Sequence, residues 1–72
     1  MIDYSPFWVT LEKSELDWYR LVTYHHISSS TLSRLKNGKD VSMKTVNDLC
    51  RILKCSISDI CVYVESDKDQ AL

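Results

Sequence analysis

Short runs of apolar residues at helical spacing, each opened by a small polar residue able to cap a helix, recur along the chain and limit its fold more than any other feature. Ser5-Pro6 sets a capping serine before a proline at the first helical position. Phe7, Trp8 and Leu11 then share one face, which predicts a helix ending near Lys13. Asp17 heads a second run, with Trp18, Leu21 and Val22 turned inward and an end near Tyr24. Ser28 heads a third, Ser28–Asn37, whose buried edge is Leu32 and Leu35. Thr31 lacks the carboxylate or amide of a capping box, so only the simple serine cap is expected there. Gly38 suits the left-handed residue that closes a helix. Ser42 caps a longer run bearing Val46, Leu49, Cys50 and Leu53, and Ser56–Ile60 has the form of a last short turn.

Two segments depart from this pattern. Cys61-Val62-Tyr63-Val64 is β-branched and aromatic, and Ile2–Tyr4 has similar character. They are candidates for a short strand pair, within one chain or across a dimer, against the alternative of an extended tail over the core. The expectation is therefore an all-α fold of five helices with a possible short terminal β-strand pair, one domain over residues 1–64, and a polar tail over 65–72.

At 72 residues the chain has room for one domain with a thin core. No apolar run approaches the roughly 20 residues a membrane span needs. The N-terminus lacks the basic start and apolar stretch of a signal peptide, so a cytoplasmic protein is expected. Cys50, Cys55 and Cys61 are spaced by five and six, which fits no ligand or redox motif; they are expected to pack as small apolar side chains, with no metal and no cofactor. There is no Gly-rich phosphate loop, no paired carboxylates in a plausible cleft and no Ser–His–Asp arrangement, so no catalytic residue and no enzyme is expected.

Net charge is −1, but it is unevenly spread. Residues 34–54 sum to +4, from Arg34, Lys36, Lys39, Lys44, Arg51 and Lys54 against Asp40 and Asp48. Residues 1–33 sum to −2 and residues 55–72 to −3. The basic third adjoins the most informative segment, Leu16–Lys39: two short helices across a tight turn, the second capped by serine and polar at its start. Ser29, Ser30, Ser33, Arg34 and Asn37 are left on the outer side of that second helix.

This segment resembles the Cro/C1-type (Xre-like) helix-turn-helix family, whose pattern runs roughly T-Q-x-x-L-A-x-x-x-G-[VI]-S-x-x-x-[IL]-S-x-x-E-x-G-K. Asp17 falls at the opening Thr, Leu21 at the Leu, Ile27-Ser28 at [VI]-S, Leu32-Ser33 at [IL]-S and Gly38-Lys39 at the closing G-K. Leu53–Ile60 is similar to the family's later L-x-[CV]-S-x-x-D-[IL] element. Four positions depart: Trp18 stands at the Gln, Val22 at the Ala, His26 at the turn Gly and Lys36 at the Glu. The likeness covers about residues 5–61, is strongest to short single-domain members met in Gram-positive bacteria, their phages and mobile elements, and implies a lambda-repressor-like domain that regulates transcription as a repressor.

The resemblance implies Ser29, Ser30, Ser33 and Arg34 as base-reading residues and Asp17, Trp18, Ser28, Lys36, Asn37 and Lys39 as DNA-backbone residues. Arg34 is the one suited to a bidentate pair with guanine O6 and N7, so specificity is expected to rest mainly on it. The implied partners are a double-stranded DNA operator and a second copy of the chain. The rival is a protein partner, with the fold serving as an adaptor or antitoxin-like module; the acidic tail favours it. Trp8, Trp18 and Tyr19, beside leucines at helical spacing, read as core or rim residues ahead of base-stacking ones, and His25 and His26 as surface turn residues.

Overall fold

A computed structural model describes residues 1–69. It contains strand β1 (Ile2–Asp3), helices α1 (Ser5–Lys13), α2 (Trp18–His25), α3 (Ser29–Lys36) and α4 (Met43–Leu53), a 3-10 turn (Ile57–Asp59) and strand β2 (Val62–Tyr63). Caps explain most of the helix starts. The Asp17 carboxylate accepts the Arg20 N–H at 2.8 Å, Ser28 Oγ accepts the Thr31 N–H at 3.1 Å and Ser42 Oγ accepts the Thr45 N–H at 3.1 Å. The first helix starts differently from expectation. Ser5 is its first residue and not its cap, because the preceding Asp3 carboxylate takes both the Ser5 N–H (3.0 Å) and the Ser5 hydroxyl (2.8 Å).

The ends of α2, α3 and α4 are closed by left-handed residues, His26, Gly38 and Lys54, whereas α1 ends on the extended Ser14. Gly38 has φ +68°, and beside it Lys39 N–H donates to the Arg34 carbonyl (2.8 Å) and Gly38 N–H to that of Leu35 (3.3 Å). Lys54, with φ +54°, lets Cys55 N–H reach the Cys50 carbonyl at 3.1 Å. The fifth expected helix is a correction: among the described residues there are four α-helices, and Ser56–Ile60 contains a single 3-10 turn. Ser56 spends its N–H and its hydroxyl on the Asp59 carboxylate, both at 3.0 Å, and the chain enters β2 directly after Cys61. Too few residues remain for a ladder of helical hydrogen bonds.

The strand pair forms within one chain. β1 and β2 are antiparallel, with Ile2 opposite Tyr63 and Asp3 opposite Val62, and Val64 N–H extends the pairing to the Met1 carbonyl at 2.8 Å. The most deeply buried side chains are Phe7, Leu21, Leu32, Leu49 and Ile60, one from each helix and one from the end of the 3-10 turn. Each such burial contributes roughly 1.5–3 kcal/mol, so all five elements are tied to one shared centre. Thr10 Oγ1 adds a link from α1 to the Asp59 carbonyl at 2.7 Å. Tyr4, Leu11, Ile27, Leu35 and Val46 complete the buried set. Trp8 and Trp18 pack against it, their rings stacked 6.0 Å apart, while Tyr19 stands in solvent and is neither core nor rim. Ile57 is also largely exposed. Among the described residues, Ser66 accepts the Asp69 N–H in a turn at the start of the tail; residues 70–72 of the expected polar tail lie outside the described residues.

Candidate nucleic-acid interface

The turn between α2 and α3 decides which face of α3 meets solvent. His26 takes φ +57°, the left-handed conformation that the sequence pattern assigns more readily to glycine, and Ile27 N–H then donates to the Leu21 carbonyl at 3.0 Å. This drops the Ile27 side chain into the core and brings Ser28 to the head of α3. Leu32 and Leu35 hold the inner side of α3. Its outer side is polar and free of carboxylates: Ser29, Ser30, Ser33, Arg34 and Lys36 are exposed, followed by Asn37 and Lys39.

The individual side chains are unequally free. Ser28 is occupied by the cap and lies within 2.8 Å of Thr31 Oγ1 and 3.1 Å of Ser30 Oγ. Asn37 Nδ2 donates to Ser33 Oγ at 3.4 Å, so these two act as a pair one turn apart. Arg34 Nε donates to the Asp40 carbonyl at 2.8 Å, which draws the guanidinium toward the loop after the helix. Ser29 and Ser30 are left as exposed hydroxyls at the helix start, able both to donate and to accept.

The two residues at the head of α2 are committed to structure. Asp17 caps that helix and lies 3.6 Å from the Arg20 guanidinium. Trp18 is half-buried against Trp8, and Lys36 of α3 lines the shallow cleft beside the two indoles. The structure thus brings Trp18 and Lys36 to one edge of the helix pair, and Arg34 and Lys39 to the opposite, loop side.

Charge follows the same division. On α4, Asp48 lies between Lys44 (2.9 Å) and Arg51 (3.9 Å), and the Lys44 ammonium holds the Asp48 carboxyl below its ordinary range. Among the described residues, Arg34, Lys36 and Lys39 take part in no salt bridge. Their cationic groups surround the C-terminal half of α3, where they also meet the negative end of the helix dipole.

Cys50, Cys55 and Cys61 are free thiols, each partly buried and packed against the core. Burial first, then the neighbouring Cys50 and Asp59, pushes the Cys55 thiol up to about 11, and burial raises Cys61 as well. Such thiols stay protonated near neutral pH, which suits packing and not nucleophilic chemistry. His25 and His26 are exposed at the turn, and no group of three or more His, Cys, Asp or Glu side chains converges among the described residues.

Tyr4, which the sequence placed in a strand segment, is instead a core residue beside this surface. It is buried beneath the loop after α3, where its hydroxyl accepts the Val41 N–H at 3.4 Å. The available signal was a tyrosine among core positions, whose polar tip needs a partner when the ring is buried.

Compared with models of protein families, residues 7–66 match the Cro/C1-type HTH DNA-binding domain. No curated protein and no solved structure gives a significant match.

Proposed function

Because the chain belongs to the Cro/C1-type HTH DNA-binding domain family, we propose that it is a sequence-specific regulator that reads the major groove of duplex DNA with α3. The observation that carries this reading is the carboxylate-free outer side of α3, with exposed serines at its start and Arg34, Lys36 and Lys39 near its end. In this reading Ser29, Ser30, Ser33 and Arg34 meet base edges. A serine hydroxyl discriminates weakly, so Arg34 carries most of the specificity, about 1–3 kcal/mol against a wrong base. Lys36, Asn37, Lys39 and the serine cap Ser28 lie along the path of the phosphates, which position the protein without specifying sequence. Asp17 and Trp18 serve that contact by holding the head of α2, with the backbone passing Lys36 beside the indoles. Transcription is then controlled by occupancy, in the manner of a repressor that blocks polymerase.

The test is fluorescence anisotropy with the duplex upstream of the protein's own gene and with a scrambled duplex, over a salt series. Specific binding is expected to be at least about a thousandfold tighter and to weaken as salt rises. Arg34→Ala is expected to erase most of the difference between the two duplexes. Equal, feeble binding to both, and to every duplex in a random pool, would defeat the proposal in favour of the protein-binding alternative.

A further inference from the structure

We propose that Tyr4 is a positioning residue for Arg34, acting through the peptide unit that joins Asp40 to Val41. The proposal rests on Arg34 being the base-reading residue. Both polar ends of that single peptide are engaged: its N–H donates to the Tyr4 hydroxyl at 3.4 Å, and its carbonyl accepts Arg34 Nε–H at 2.8 Å. A peptide is planar, so holding its N–H limits where its carbonyl can point. Tyr4 is a firm anchor, since the residue is only 5% exposed and directly follows β1. The loop is closed from the other side as well, where Lys39 N–H donates to the carbonyl of Arg34 itself at 2.8 Å.

The arrangement has a chemical consequence. A guanidinium carries five N–H donors in one plane, and with Nε committed to Asp40 the four on the two Nη atoms remain. Arg34 must therefore meet a guanine edge end-on through both Nη atoms, and not side-on through Nε. A fork already oriented in the free protein has less freedom to lose on binding. Tyr4 thus acts on specificity from inside the core, without touching DNA.

The full chain is used for the test. In the DNA-free protein, the Arg34 Nε–H resonance is followed by NMR in the wild type and in Tyr4→Phe, which keeps the ring and removes the hydroxyl. Its exchange with solvent is expected to speed up about three- to tenfold. Binding is measured on the tightest duplex that the wild type selects from a random pool, and on a scrambled duplex. The ratio of the two affinities is expected to fall about three- to tenfold in Tyr4→Phe, with scrambled-duplex affinity and salt slope unchanged. A purely structural role would lower the melting temperature and leave that ratio alone. Unchanged exchange with an unchanged ratio would overturn the proposal. Faster exchange with a ratio insensitive to both Tyr4→Phe and Arg34→Ala would overturn it through its premise, leaving the tether itself intact. Should Tyr4→Phe fail to fold, the absence in the wild type of scalar coupling between Arg34 Nε and the Asp40 carbonyl carbon would overturn it equally.

Discussion

Gly38 and His26 occupy the same left-handed region of backbone space, at φ +68° and +57°, yet only one of them is a glycine. At Gly38 an added Cβ would meet nothing within 4 Å, so the cost of a side chain there is conformational and not steric. Gly38→Ala is therefore expected to lower stability by about 1 kcal/mol, read by urea denaturation. A cost near zero would mean that the loop after α3 takes another conformation in solution. At the residue scale the cysteines show a parallel separation of packing from chemistry. Cys55 is placed by the left-handed Lys54 beneath the end of α4, and its thiol is held in the neutral form by the same burial.

At the scale of elements, α3 is short and owes its stability to neighbours. An isolated helix of eight residues is unstable in water, so its inner side chains must hold it in place. Leu32 is fully buried at the meeting point of the helices. Leu32→Ala is expected to cost about 2–5 kcal/mol, a large part of the roughly 4–11 kcal/mol available to a domain of this size. Its melting curve and its DNA affinity should fall together. Loss of affinity without loss of stability would place Leu32 at the interface and not beneath it.

The whole molecule leaves its small sheet uncovered. Ile2, Val62, Tyr63 and Val64 are exposed on a two-stranded ribbon, an arrangement with little stability of its own. On the proposed reading a single α3 offers few base contacts, so we infer that the chain would bind DNA as a homodimer. Its two α3 helices would then read half-sites about 34 Å apart. Sedimentation of the 8.4 kDa chain should show a dimer, alone or on its operator, and a one-to-one complex at saturating protein would exclude it. Among the described residues no helix is long and apolar enough to cross a membrane.

Periodicity and capping residues by themselves determined the four helices, their order, and the helix-turn-helix segment within them. Those features depend on contacts between residues a few positions apart: Asp17, Ser28 and Ser42 each cap the helix that follows, and Leu32 and Leu35 mark one side of α3. The serines and cations of the outer side were legible for the same reason, because a side that is not apolar on a packed helix faces water. Only the tertiary structure decided how those residues are held. The Tyr4 hydroxyl and the Val41 N–H are separated by 37 positions, and Arg34 meets Asp40 across a loop whose path depends on Gly38. The pairing of Ile2 with Tyr63 was likewise undecided, since strand character alone does not say whether the partner lies in the same chain. The shortened last helix was fixed by that pairing, which claims the chain from Val62 onward. Local spacing encodes elements; the contacts that orient Arg34 exist only once those elements have packed.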